Sequence, residues 1–365
     1  MKFLGVSLKG NAFFFQKEKR GLLWICPLMK KYLVTGAAGH LGLALCFQLL
    51  KDHQAVRVLL LPEESFPLED QVEVIRGDVT DPKSLIPFFD NPNQDDFELI
   101  HAAGIVSIAS RYDPKVHAVN VDGTANVMAE ALRTQVKKIV YVSSVHAIPE
   151  EPKGQLIKET TVFDPAKVKG LYAKTKAEAV AHVLALAKAG LPVTVVHPSG
   201  ILGPFDLGRN HLVALLKDFK NGKLTAAVKG GYDFVDVRDV VQGILGALTK
   251  GKNGECYILS GGYHSIKELL DLAAHDLRKT PIKTYLAGGF VRFFAPLEEL
   301  WYRIRKAPPL FTSYSLYTLR SNSNFSHEKA SLTLGYRVRP FEETVSDTIR
   351  YLESGGGDPT SFLLA

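Results

Sequence analysis

Between residues 31 and 197, short runs rich in β-branched residues alternate with stretches of helical periodicity. No other feature of the chain limits the fold as strongly. The runs fall at 31–35, 55–61, 72–76, 98–103, 138–143 and 192–197, and helical patterns fill 40–51, 114–134 and 170–189. Strands alternating with helices build βαβ units, and hence a parallel sheet covered by helices on both faces. Right-handed crossovers make the doubly wound α/β arrangement the expected outcome. After Pro198 the rhythm breaks. Gly, Pro and Asn become frequent over 199–231, strand-like runs return at 233–237 and 255–259, and a final helix is expected at 341–352. The expected division is a main domain at 29–198 with a return segment at 233–260. A smaller, mostly C-terminal α/β domain would come from 199–232 and 261–365.

The first 28 residues fit this scheme poorly. Apolar runs at 12–15 and 22–26 flank a basic cluster at 17–20, without the long apolar stretch or small-residue cleavage site of a signal peptide. The fold is expected to start at Met29, behind a disordered extension outside the core. No apolar run reaches the 18 residues a spanning helix needs. The stretch 286–306 is apolar, aromatic and basic; it reads as a helix packed on the smaller domain, with membrane-surface contact as the other reading. Residues 355–358 read as a frayed tail.

Composition removes several classes of function. Apolar residues make up 46% of the 365 positions, enough for a sizeable core. Three cysteines, Cys26, Cys46 and Cys256, are too few and too scattered for a disulfide framework or a zinc site, so no metal is expected. That usage fits a reducing, cytoplasmic setting. A formal charge of +6 suits an anionic ligand but is too small on this length to argue for nucleic acid.

Three constellations carry chemistry. At the first strand–helix junction stands Thr35-Gly36-Ala37-Ala38-Gly39-His40-Leu41-Gly42, spaced G-x-x-G-x-x-G. Glycines there let backbone approach a pyrophosphate, while the helix N-terminus offers free N–H groups; packing glycines are the plainer alternative. The ribose-reading position at the end of the second strand is Leu61, followed by Pro62-Glu63-Glu64. Neither an Asp for a free 2′-hydroxyl nor an Arg for a 2′-phosphate stands there, which leaves NAD against NADP open. Arg57 and Arg76 lie nearby, although strand arginines more often face solvent. In Gly77-Asp78-Val79, Asp78 either meets an adenine or caps the helix starting near Pro82.

The second constellation is Tyr172-Ala173-Lys174-Thr175-Lys176. Residues four apart share a helix face, so Tyr172 and Lys176 can address one ligand. A lysine cation beside the phenol, with an oxidised nicotinamide, would bring its pKa from near 10 towards working range. Either residue alone would equally suit an exposed helix face. The third constellation is Ser143-Ser144, which ends the fifth strand where ligands of open α/β sheets bind. A serine there can orient a carbonyl towards the tyrosine, or simply form a turn.

With these motifs the chain resembles the extended short-chain dehydrogenase/reductase family, the NAD-dependent epimerase/dehydratase-like group. His101-Ala102-Ala103-Gly104, Asn120 to Thr124, His197 to Gly200 and Phe234 to Asp239 extend the likeness. The resemblance implies a Rossmann-type domain, a substrate-binding smaller domain, and an NAD(P) cofactor. It implies Ser144 polarising the substrate oxygen (with Ser143 as the alternative), Tyr172 as acid/base and Lys176 on the nicotinamide ribose. Ala102, Ala103 and Gly104 would line the dinucleotide, Asp78 and Val79 its adenine, and Pro198 and Ser199 its nicotinamide. Asn120 would support a proton relay, or else be a core amide.

Within the family the likeness is closer to the dihydroflavonol reductase, 3β-hydroxysteroid dehydrogenase and aldehyde reductase branch. Tyr232 stands where nucleotide-sugar enzymes usually place an Arg, the expected bidentate grip on a diphosphate. Arg209 is the substitute cation, and Asp206, His211 and His264 have no assignable partners. The resulting expectation is an NAD(P)-dependent oxidoreductase of a small-molecule carbonyl/alcohol pair. A nucleotide-sugar epimerase or dehydratase, and a non-catalytic dinucleotide sensor, are the alternatives. The resemblance also implies a homodimer through helices at 114–134 and 170–189.

Overall fold

The computed structural model describes residues 4–8, 11–18, 21–25, 30–107, 112–286 and 313–355. Most of the apolar and basic stretch at 286–306 and of the tail at 355–358 therefore lies outside the described residues. Within the N-terminal extension, strands Leu4–Leu8, Asn11–Glu18 and Gly21–Ile25 pair antiparallel in a sheet of their own, where disorder was expected.

The central sheet has seven strands. Six come in chain order: β1 (Lys30–Thr35), β2 (Ala55–Leu60), β3 (Glu73–Arg76), β4 (Asp96–His101), β5 (Lys138–Val142) and β6 (Val193–Pro198). Two further strands, β7 (Gly200–Leu202) and β8 (Gly231–Asp236), precede the seventh member, β9 (Cys256–Leu259). Spatially the sheet runs β9-β6-β5-β4-β1-β2-β3, with every neighbouring pair parallel. The order reverses between β4 and β1, which opens a crevice at their carboxyl ends. Of the two strands in the expected return segment, β9 enters this sheet. β8 instead joins β7 and β10 (Tyr263–Ser265) in a separate three-stranded sheet.

Side-chain alternation explains why the β-branched runs form strands buried on both faces. Leu33, Ile139, Tyr141, Val193 and Val195 point to one core, and Val34, Val140, Val142 and Val196 to the other. Helices α2 (Gly123–Arg133) and α3 (Leu171–Lys188) cover the first face through Val127, Met128, Ala177 and Val180. On the second face lie α1 (His40–Lys51) and α5 (Val237–Lys250), with Leu45, Leu49, Val240 and Ile244. After β7 the chain adds α4 (His211–Lys220), α6 (Ile266–Asp276) and α7 (Phe341–Glu353).

The helix expected over 114–134 is not continuous. A turn at Pro114–His117 leads into a π-helical segment at Ala118–Asp122, and only then does α2 begin. Such bulges often mark functional positions, because the wider turn re-aims a side chain. Here it carries Asn120. No helix among the described residues is long and apolar enough to cross a membrane.

Candidate active site

The glycine turn is shaped by two close approaches. Gly36 has φ +73°, and a Cβ on it would lie 2.7–2.8 Å from the Ala102 and Ala103 backbone. A Cβ on Gly42 would sit 2.0 Å from the Gly36 carbonyl oxygen, so α1 can press onto the turn only with glycine there. Gly39 caps α1 with extended backbone, and its missing Cβ would meet only the Gly36 carbonyl, at 3.3 Å. The start of α1 is thereby left bare of side chains, as a bound pyrophosphate requires. Ala38 and Leu41 are buried beneath the turn. The His40 ring donates from Nε2 to the Pro204 carbonyl (2.8 Å) and accepts at Nδ1 from Asn210 (2.8 Å), tying the turn to the loop after β7.

The carboxyl ends of β1 to β6 bring the other expected dinucleotide residues to the same edge of the sheet. Leu61 is 46% exposed just past β2. Behind it, Glu64 pairs with Arg209 at 2.6 Å, so this arginine faces the β2 loop rather than an open substrate cleft. Arg76 holds the Leu61 and Glu64 carbonyls. Arg57 does not face solvent: it is buried, bonded to the Phe88 and Asp90 carbonyls and paired with Glu73. Asp78 accepts from the Thr80 N–H and hydroxyl, while Asp81 caps the short helix at Pro82–Leu85. Capping is therefore not the Asp78 role. Val79 is buried against α2, where a Cβ on Gly123 would meet it at 2.7 Å. At the end of β6, Ser199 donates its N–H to Leu259, next to Pro198.

Tyr172 and Lys176 occupy the first turns of α3 and are both buried. Lys176 donates to the Val142 carbonyl at the end of β5 (3.1 Å) and lies 5.3 Å from the Tyr141 ring centroid. Gly104 makes room for it, since a Cβ there would come within 3.2 Å of both Lys176 Nζ and Asn120 Oδ1. Asn120 accepts from Ile105 N–H (2.8 Å) and donates to the Ile105 carbonyl (3.0 Å) and to Thr175 Oγ1 (3.1 Å). The Thr175 hydroxyl in turn donates to the Tyr172 carbonyl (2.9 Å). Asn120 thus ties the loop after β4 to the start of α3.

Ser144 caps the helical turn Val145–Ala147, its hydroxyl accepting from His146 N–H, while its carbonyl accepts from His197 Nδ1 (3.0 Å). Beside it, Ser143 Oγ is buried without a protein partner. An orphaned hydroxyl at the sheet's carboxyl edge, a bare helix start and a buried lysine fit a nicotinamide dinucleotide.

Burial dominates the protonation of these groups. It pushes Tyr172 up to about 12, against the opposing effect of a hydrogen bond with Ser144. It brings Lys176 down to about 8, within reach of neutral pH. Lys176 is the group moved towards working range.

Sequence reading passed over His146. Its ring packs edge-on to Tyr172 (centroids 5.9 Å apart) and stacks on Tyr232 (5.5 Å). The Tyr232 hydroxyl meets Nε2 at 2.9 Å, and the Tyr314 hydroxyl meets Nδ1 at 3.4 Å. Position alone was a signal: His146 is two residues beyond Ser144 in the turn Ser144 caps. Asp206 and His264 serve local structure. Asp206 receives the Arg209 and Asn210 N–H groups, and His264 pairs with Glu268 and stacks on Phe341.

Comparison with known proteins adds to this geometry. The family model described as "NAD dependent epimerase/dehydratase family" matches residues 32–260. "Sterol demethylase protein B" of Methylococcus capsulatus is 31% identical over 332 residues, covering 89% of this chain and 98% of that protein. A "3 beta-hydroxysteroid dehydrogenase/Delta 5-->4-isomerase" of Mycobacterium tuberculosis is 26% identical, covering 84% and 85%. The crystal structure of gox2253 superposes with a TM-score of 0.76 at 31% identity, over 90% of this chain and 99% of the other.

Proposed function

The chain belongs to the NAD-dependent epimerase/dehydratase family, and on that premise we propose that it interconverts an alcohol and a ketone on an apolar ring compound. The observation that carries this reading is the convergence of Ser144, Tyr172 and Lys176 at the carboxyl edge of the sheet, beside an aromatic wall where a diphosphate would need a cation. The names of the sterol and steroid relatives support the choice of ring compound.

In this reading the turn from Gly36 to Gly42, Ala102 to Gly104, Asp78, Val79 and Ser199 hold the dinucleotide. When bound, it supplies the two-electron reductant for the carbonyl carbon. Tyr172 gives its hydroxyl proton to the carbonyl oxygen, and Ser144 orients that oxygen by hydrogen bonding. Lys176, held by the Val142 carbonyl, places a positive charge beside the tyrosine as its proton leaves. Asn120 anchors the start of α3 through Thr175, keeping the tyrosine aimed. A cytoplasmic setting, which rests on the sparse cysteine usage, and a homodimer through helices around 114–134 and 170–189, which rests on the family resemblance, belong to the same proposal.

The test follows the reduced-nicotinamide absorbance with NADH and with NADPH while ring ketones, open-chain aldehydes and nucleotide-sugars are added. Ketone-dependent oxidation that disappears in Tyr172→Phe is the expected result, and it also reads out cofactor choice. Conversion of a nucleotide-sugar without net cofactor consumption would overturn the proposal.

A further inference from the structure

His146, Tyr232 and Tyr314 reach one place from three separate parts of the fold: the turn after β5, strand β8, and the helical turn Ser313–Thr318. Their rings enclose one flank of Tyr172. His146 and Tyr232 lie nearly coplanar, 12° apart, and Tyr314 leans on the same imidazole at 6.1 Å between centroids. Gly170, immediately before α3, leaves the room that the Tyr314 ring fills: a Cβ there would be 2.2 Å from its Cε2.

The chemistry of this cluster is closed and uncharged. Both imidazole nitrogens are engaged by tyrosine hydroxyls, so one tyrosine donates to the ring and the other accepts its N–H. Burial holds His146 down to about 4, which keeps it neutral at physiological pH. Among the described residues, these two tyrosine hydroxyls hydrogen-bond to no cation. Behind Tyr232, the buried Asp233 carboxylate is held by the Gly261 and Gly262 N–H groups, and burial raises it only to about 6. The same three side chains line a cavity of about 430 Å³, together with Val145, Ile148, Val168 and Phe325 and, among its charged residues, Glu150, Glu151, Lys153, Lys167 and Lys169. That volume lies in the range of small-molecule sites.

We propose that His146, Tyr232 and Tyr314 form the specificity-determining wall of the site, which takes a flat, uncharged ring system against it. His146 is a positioning residue here. By fixing both tyrosines it sets the distance between a stacked substrate and the Tyr172 hydroxyl. The inference rests on Tyr172 being the acid/base of a carbonyl reaction.

The experiment measures kcat and KM for a ring ketone, an open-chain aldehyde and a nucleotide-sugar in wild type, His146→Leu, His146→Gln and Tyr314→Phe, with dinucleotide Kd and Tm beside them. His146→Leu should lower kcat/KM for the ring ketone by about tenfold or more, mainly through KM. Dinucleotide Kd should stay unchanged, and turnover of the small open-chain aldehyde should be largely spared. His146→Gln, which keeps a donor and an acceptor, should recover part of the loss. Tyr314→Phe removes one hydroxyl without a cavity and should show a smaller loss in the same direction, so a poorly folding leucine variant still leaves the question answerable. Equal losses for all substrates, or no loss in any variant of wild-type Tm, would overturn the wall while leaving the reductase reading intact. Nucleotide-sugar turnover by wild type would overturn both.

Discussion

Tyr172 and Lys176 are held by different kinds of contact, and this separates what their substitutions do. The phenol meets Ser144 and the His146 ring, so Tyr172→Phe keeps the ring packing and removes only the hydroxyl. Its kcat is expected to fall about 10²- to 10⁴-fold with dinucleotide Kd unchanged, read by steady-state kinetics beside fluorescence titration. Asn120 behaves oppositely. Asn120→Ala strands both backbone groups of Ile105 and should cost about 1–3 kcal/mol in denaturant unfolding. At this scale the sequence was most legible where the chemistry is local: the Tyr-x-x-x-Lys spacing, the serine pair, the glycine turn. His146 and Tyr314 were not legible because 168 residues separate them and only the folded chain brings them together. Arg57 was misread because nothing local shows that the loop after β3 folds back to offer it the Phe88 and Asp90 carbonyls.

Among the elements, α3 depends on the residue before it. Gly170 has φ +95°, a backbone state open in practice only to glycine, and faces the Tyr314 ring where a Cβ would stand. Gly170→Ala should therefore destabilise the fold by about 1–3 kcal/mol in denaturant unfolding and displace Tyr314. Loss of activity with ring ketones should accompany it. An alanine variant of wild-type stability would show that Tyr314 does not press on α3. Strands and long helices of the main domain were readable because parallel strands are apolar on both faces and helices follow their own period. The π-helical break at Ala118–Asp122 was not, since its residues keep an ordinary helical pattern and only the Asn120 bridge to Ile105 shows what the wider turn accomplishes. Helix α5 was hidden by the strand-like run that precedes it, though Asp236 caps it and Val237, Val240, Val241 and Ile244 mark its buried face.

At the scale of the whole molecule, buried histidines set the response to acid. Burial lowers His101 to about 3, His146 and His197 to about 4, and His40 below its ordinary value. Below pH 6.5 the unfolded chain takes up protons that the folded chain refuses, so stability falls as pH drops from 6.5 towards 4. Each such group removes about 1.4 kcal/mol per pH unit within its window. Asp233 works the other way: raised to about 6, it binds its proton more readily in the folded state between pH 6 and its ordinary value. Burial raises Asp239 as well, and two carboxyls against four imidazoles still leave a net loss. Tm should decline from pH 7 to pH 5, and His146→Gln should flatten that decline in differential scanning calorimetry. A Tm constant over this range would contradict the buried neutral state of these rings.

Arg238, just after β8, joins Asp236 to Asp347 on α7, and Arg339 returns to Asp239 on α5. These bridges span 109 and 100 residues, and Phe341 stacks on Phe234 beside them. A ribosome releasing this chain can let the first six strands assemble while synthesis continues. The packing of β8 and α5 must wait for α7, so it is complete only after nearly the whole polypeptide has emerged. A nascent chain halted before residue 340 would carry a formed sheet and a protease-sensitive stretch after β6.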